Sequence, residues 1–217
     1  MKNKLINFFG LATKKEIEQI SEKLNIFESH ISLFDSFDIA FKLRKELKNC
    51  GENVKIFAPI KYSNLKNIII GDNVTISSFV WLHTIESYGD KKFLPNIEIQ
   101  DNTYIGHYVE IGACNKILIG KNCMIADHVF IADTNHDYQD IEKHISDEIT
   151  FGDEIIIGDE TWIGDGVKIL PGAKIGNRCV VGAGSVVNSA IPDFSIAVGA
   201  PAKVVKSFNK LTNKWEK

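Results

Sequence analysis

Aliphatic residues recur at every sixth position along most of this chain. Ile70, Ile76 and Leu82 keep the spacing, as do Ile99, Ile105, Ile111 and Ile117. A third run is Ile119, Ile125 and Ile131, and a fourth runs from Ile157 through Ile163, Ile169 and Ile175 to Val181 and Val187. Gly or Ala often follows the beat, as at Gly106, Gly120, Ala126 and Gly176. Four positions after the beat stands a small or β-branched residue, such as Thr103, Val109, Cys123, Val129, Val167, Ala173, Cys179 or Ser185. A helix repeats at 3.6 residues and an ordinary strand at two. A period of six fits a short strand plus a turn, with two inward side chains per unit. Three such units close a triangular coil with the aliphatic beat inside. Asp72-Asn73, Asp101-Asn102 and Lys121-Asn122 suit turns that need unusual backbone angles. The competing fold is an all-β sandwich, whose strands do not keep one phase over six consecutive hexads. The pattern predicts a mainly β chain whose coil covers residues 54–205.

The rhythm breaks once at length. After Ile131 the next beat falls on Asp137, and the aliphatic series resumes only at Ile157. Residues 133–154, "DTNHDYQDIEKHISDEITFGDE", hold eight acids and one lysine, a composition that places them outside the core. Long loops inside compact domains are usually functional. His136 lies at the root of this one, where a rigid coil fixes its position.

Residues 1–53 lack the beat and read as an N-terminal helical segment that caps the coil or helps it oligomerise. "MKNKLINFFGLATKK" reads as a packed amphipathic helix, with contact between residues 1–15 and an anionic membrane surface as the alternative. Ile17, Ile20, Leu24, Phe27, Ile31 and Phe34 are spaced as an a/d heptad, which predicts a short parallel coiled coil over 16–35. The competing arrangement folds this segment back on a second helix near 38–49, "FKLRKELKNCG", stopped by Gly51. Residues 206–217 are expected to be a short C-terminal tail.

Composition narrows the class. At 217 residues, one domain with an appendage is expected, and 44% apolar residues support a real core. A net charge of −3 argues against a nucleic-acid surface. Cys50, Cys114, Cys123 and Cys179 show no Cys-x-x-Cys spacing and read as buried thiols in a reducing compartment. No apolar run is long enough to span a bilayer. The expected location is the cytoplasm, or the inner face of a membrane as a peripheral protein. No His/Cys/Asp set has metal-ligand spacing, so no metal is expected.

The run "TWIGDGVKILPGAKIG", followed by "VGAGSVV" and "IAVGAPAKVVK", resembles the terminal coils of the hexapeptide-repeat acyltransferase family. The likeness is to the galactoside and maltose acetyltransferases and, most closely, to the bacterial polysaccharide O-acetyltransferases. It implies a left-handed parallel β-helix; spacing alone does not supply the hand. It also implies acetyl-CoA as acyl donor and homotrimers with active sites between subunits. The acceptor implied is a sugar hydroxyl of a surface polysaccharide or its precursor.

The resemblance assigns roles as well. His136 becomes the general base, removing the acceptor's proton as its oxygen attacks the thioester carbonyl. A histidine with a free pKa of about 6.5 suits that task, because an alcohol is a poor nucleophile while protonated. Asp133 or Asp137 would orient the ring. Trp162 would line the site near the donor, and the backbone at Gly164, Asp165, Gly182 and Ala183 would approach the pantetheine arm. The small residues there would allow close contact. Lys203 and Lys206 would meet the phosphates of CoA. Asn135, His107 and His144 are the acceptor-side candidates. The chain departs from the galactoside and maltose pattern in three places. Asp137 stands where proline is usual, Gly106-His107 stands near the usual sugar-binding asparagine, and Asn188-Ser189 replaces Thr-Lys. Other readings are an N-acetyltransferase of a nucleotide-linked amino sugar, an antibiotic acetyltransferase and a non-enzymatic β-helix scaffold.

Overall fold

The structure, a computed structural model, describes residues 39–148 and 150–217. The coiled coil expected over 16–35 and the surface segment 1–15 lie outside the described residues. The chain winds around three parallel walls in the repeated order A, B, C. Wall A stacks Asn49–Cys50, Ile68–Ile70, Asn96–Ile99, Lys116–Ile119, Ile155–Ile157 and Lys174–Ile175. Wall B carries Lys55–Ile56, Thr75–Ile76, Tyr104–Ile105, Met124–Ile125, Trp162–Ile163, Val180–Val181 and Ser195–Gly199. Wall C holds Lys61–Ser63, Trp81–Thr84, Glu110–Ala113, Phe130–Ala132, Lys168–Ile169 and Val186–Val187.

The beat is the interior. From Ile70 to Val187, every residue of the four series is buried, and so is every small or β-branched residue named after them. Each fully buried aliphatic side chain contributes about 1.5–3 kcal/mol. The two-residue phase jump between Ile117 and Ile119 also has a cause. Lys116–Ile119 is a four-residue strand, long enough to turn both isoleucines inward.

The three edges are built differently. Where A meets B, Asn73, Asn102 and Asn122 take the left-handed conformation at φ 56°, 59° and 55°. Their neighbours cap the adjacent coil: Asp101 Oδ1 accepts the N–H of Asp72 at 3.0 Å, and Asp159 Oδ1 that of Lys121 at 2.8 Å. The glycine after the beat follows from this closeness, since a Cβ at Gly120 would lie 2.4 Å from Asp159 Oδ1. Where B meets C, the left-handed positions are Phe79, Tyr108, His128, Gly166 and Gly184. The Phe79 and Tyr108 rings stack with centroids 4.7 Å apart, and Tyr108 and His128 at 5.2 Å. Where C meets A, two excursions leave the coil, at 85–95 and 133–154, on either side of the tight corner Cys114-Asn115.

Both ends differ from the sequence expectation. The described helix covers only 39–43, and the wall starts at Asn49 rather than at 54. Asn49 and Cys50 pair with Ile69 and Ile70, so strand addition overrides the helical propensity of this stretch. Ala40, Leu43 and Leu47 join the core and close that end of the coil. At the other end, Ala202–Asn209 runs antiparallel to both Ser195–Gly199 and Lys214–Glu216, so the expected tail is a hairpin continuing wall B.

Cys114, Cys123 and Cys179 are buried and Cys50 is half-buried; all four are free thiols. Burial pushes the Cys114 and Cys123 thiols up from 9.0 to about 11. A raised folded-state value stabilises the fold fully below the unfolded thiol value and loses that contribution as pH climbs through the folded one. Thermal melts are therefore expected to stay level up to about pH 9 and then fall towards pH 11. Replacing both thiols with Ala should shallow that alkaline slope, and the part that remains belongs to the other raised thiols, Cys50 and Cys179.

Candidate active site

His136 sits on a built arm. Thr134–His136 pairs antiparallel with Thr150–Gly152, setting Thr134 opposite Gly152, Asn135 opposite Phe151 and His136 opposite Thr150. The pairing makes a stiff two-stranded stem, so the imidazole leaves the coil in a defined direction. His136 and Asn135 are exposed. Thr150 is buried, and its Oγ1 lies 3.4 Å from His136 Nδ1. Among the described residues no hydrogen bond engages His136 Nε2. His144 lies farther along the same arm, exposed, at the start of the 3-10 turn Ile145–Asp147.

Neither acid expected to orient the ring contacts it. Asp133 is fully buried and anchors the root of the arm. Its carboxylate accepts the N–H of Cys114 at 2.8 Å, the N–H of Asn115 at 2.9 Å and the Thr134 hydroxyl at 3.2 Å. Asp137 accepts the N–H groups of Tyr138 and Gln139 and closes a turn. The acid-rich composition of 133–154 is therefore misleading at two points, Asp133 and Glu148. Glu148 is 5% exposed, and its Oε1 has no hydrogen-bond partner.

The first excursion leans on the second. Ser87–Tyr88 and Lys91–Lys92 form a small antiparallel hairpin. The Tyr88 ring meets the His136 ring edge-on, with centroids 5.2 Å apart at 75°. Its hydroxyl donates to the Ser146 carbonyl at 3.2 Å, and Lys91 Nζ donates to the Thr150 carbonyl at 2.9 Å. Sequence reasoning missed this arm, although its signal is the same. After Leu82 the beats fall on Tyr88 and Leu94, which are 37% and 95% exposed.

The donor-side candidates gather elsewhere. Gly164-Asp165 and Gly182-Ala183 occupy successive coils at the edge between walls B and C, where the Gly184 N–H donates to the Asp165 carbonyl at 2.8 Å. His107 stands on the same edge, its own N–H bound to Asp127 Oδ1 at 2.8 Å. Asp165 Oδ1 also lies 3.1 Å from His128 Nδ1. The space beside Gly164 and Gly182 is already filled, contrary to the expectation that it admits a ligand. A Cβ would fall 2.6 Å from the Ala183 nitrogen at Gly164 and 2.7 Å from Val198 Cγ1 at Gly182. On this edge the open glycines are Gly166 and Gly184, where an added Cβ would meet nothing.

Trp162 projects from wall B in a row that runs through Val180 and Ile196 to Lys206. Lys203 pairs with Val198. A bulge between Ile196 and Ala197 leaves Val205 unpaired, which brings Lys203 and Lys206 to one face of the sheet despite their odd spacing. Within one chain, then, the structure groups His136, Asn135 and His144 on the C–A edge. It groups the donor candidates and His107 on or beside the B–C edge. The width of wall C separates the two sets.

Among the described residues, no cluster of His, Cys, Asp and Glu has the arrangement of a metal site. No described helix is long and apolar enough to cross a membrane. His83 is accounted for in the wall: its Nε2 lies 3.3 Å from Glu110 Oε1, and its ring fills the space over Gly112.

Comparison with known proteins agrees with this geometry. Residues 154–189 match the bacterial transferase hexapeptide family over six repeats. The chain is 38% identical over 134 residues to a protein of Escherichia coli strain K12 named as a lipopolysaccharide biosynthesis O-acetyl transferase, WbbJ. That match covers 56% of this chain and 65% of WbbJ, so the chain spans less than two thirds of its length. A crystal structure of a maltose O-acetyltransferase from Clostridium difficile 630 is 29% identical, with a TM-score of 0.54, over 77% of this chain and 73% of that one. AntD, an N-acyltransferase from Bacillus cereus solved with dTDP and 3-hydroxybutyryl-CoA, shares the fold at a TM-score of 0.65 and 22% identity. It covers 79% of this chain and 89% of its own. The hexads form the walls of a left-handed parallel β-helix, the fold shared with AntD, and residues 154–189 carry the repeats of the bacterial transferase hexapeptide family.

Proposed function

We propose that this chain transfers acetyl from acetyl-CoA to a sugar hydroxyl, with each active site shared between two subunits of a homotrimer. The observation that carries the reading is the stiff stem presenting an exposed imidazole whose Nε2 has no hydrogen-bond partner among the described residues. In this reading His136 Nε2 takes the proton of the acceptor hydroxyl as its oxygen attacks the thioester carbonyl. The tetrahedral intermediate collapses, the C–S bond breaks, and the CoA thiolate recovers the proton from the imidazolium. The acceptor keeps the acetyl group as an ester. The open ledge at Gly166 and Gly184 offers the pantetheine arm a path along the edge, past Asp165 and Ala183. Lys203 and Lys206 lie beyond it to meet phosphates. The likeness to WbbJ and to the maltose O-acetyltransferase supports a sugar acceptor and oxygen as the acylated atom. A polysaccharide, or its precursor, is the acceptor class we favour.

The test is release of CoA thiol in the presence of sugars, amino sugars and oligosaccharides, with the product treated with hydroxylamine. An ester, cleaved by hydroxylamine, is expected. A product that resists hydroxylamine would move the assignment to N-acetyl transfer, and no thiol release with any acceptor would point to a scaffold.

The separation of the two residue sets by wall C supports the trimer, because a second subunit can bring its arm against the donor edge of the first. Mixing His136→Ala subunits with Lys203→Ala/Lys206→Ala subunits should then restore part of the activity that each homotrimer lacks. Activity that never exceeds the sum of the two parents would sink the shared site. The double lysine variant itself should raise KM for acetyl-CoA more than it lowers kcat, because phosphate contacts form equally in ground and transition states. The effect should shrink with added salt. An unchanged KM would move the phosphate site to other cations.

A further inference from the structure

The 85–95 arm has no part in the mechanism above, yet its contacts converge on the strand that faces His136. Lys91 holds the Thr150 carbonyl at 2.9 Å, and Tyr88 ties the far end of the second arm through the Ser146 carbonyl at 3.2 Å. Tyr88 also closes edge-on against the imidazole. Thr150 is 1% exposed, so water has little access to replace its hydroxyl, and strand register sets it opposite His136. A neutral imidazole donates from one nitrogen and accepts at the other, and the partner of one nitrogen decides the role of the other. A free histidine side chain favours the Nε2–H form, which has no lone pair at Nε2 to receive a proton. A base acting at Nε2 needs an acceptor at Nδ1, and the two acids nearest in sequence are engaged with backbone groups.

We propose that Thr150, braced by Tyr88 and Lys91 of the 85–95 arm, is a positioning residue that accepts the Nδ1–H of His136 and so leaves Nε2 free as the base. Lys91 fixes the strand that carries Thr150, and Tyr88 limits rotation of the ring. The Nδ1···Oγ1 separation of 3.4 Å is long for such a bond. Catalytic hydrogen bonds often tighten only when substrate is present. The inference rests on His136 as the general base.

The experiment combines long-range proton–nitrogen NMR of the His136 ring in the full-length protein with steady-state kinetics. Thr150→Val, which keeps the shape and removes the hydroxyl, should shift the ring towards the Nε2–H form. It should lower kcat about tenfold, a fraction of the roughly 10²–10⁴-fold that general-base catalysis supplies, with KM for acetyl-CoA unchanged. Thr150→Ser should recover both the spectrum and most of kcat, and Tyr88→Leu should lower kcat more than Tyr88→Phe, which keeps the ring and loses only the hydroxyl bond to Ser146. An unchanged tautomer in Thr150→Val overturns the proposal, as does an unchanged kcat. Equal losses in the Val and Ser variants overturn it too, because they would trace the effect to packing. The spectra decide independently of the general-base reading, which His136→Ala tests by itself.

Discussion

Replacing His136 with Ala is expected to lower kcat by roughly 10²–10⁴-fold, the usual scale for losing a general base. The side chain is exposed at the end of a stem, so its removal leaves no interior cavity, and the melting temperature should hold. KM for acetyl-CoA should change little, because in the proposed reading His136 acts on the acceptor hydroxyl and holds no part of CoA. Those two controls separate lost chemistry from lost structure. If the variant turned over near the wild-type rate, His136 would not be the base, and His144 on the same arm would be tested next.

Asp133→Ala should produce the largest loss of stability outside the interior. The substitution leaves the N–H groups of Cys114 and Asn115 and the Thr134 hydroxyl without their acceptor. Unsatisfied buried donors of this kind cost about 1–3 kcal/mol each, so a total of roughly 2–5 kcal/mol is expected, allowing for partial rescue by water at the less buried Asn115. Asp133→Asn should recover only part of it. The two backbone N–H groups use different carboxylate oxygens, and the asparagine amide would turn a donor towards one of them. Because Asp133 holds the root of the arm, kcat should fall together with stability. Denaturant melts and turnover measured on both variants check this. A fully stable, fully active Asp133→Ala protein would make the anchor dispensable.

The coil was legible in the sequence because its geometry imposes the period. Each wall needs an inward aliphatic at a fixed phase, and Ile125 or Ile163 cannot slip without turning out to solvent. The left hand was legible only through resemblance, since hexads close a triangle with either hand. The excursion at 133–154 announced itself by Asp137 on a beat. The one at 85–95 did not, because Tyr88 and Leu94 occupy its beats and pass for poor repeats. The anchor at Asp133 was hidden in an acid-rich stretch that reads as solvated, and only its backbone partners on the preceding coil explain its burial. Thr150 was unreadable for a further reason. Its place opposite His136 comes from the antiparallel register of the stem, and no spacing along the chain encodes that.

Both arms spring from the same edge and return to it without disturbing the stack. Lys116–Ile119 pairs with Asn96–Ile99 on one side and Ile155–Ile157 on the other, in unbroken phase, although the partner strands each follow an excursion. The walls and the arms are thus separable inventions within one chain. New arms of different length or chemistry can be grafted between Thr84 and Asn96, or between the root residues Asp133 and Asp153, while every isoleucine inside keeps its neighbours. A lineage, or an engineer, can change what such a protein grips without renegotiating how it folds.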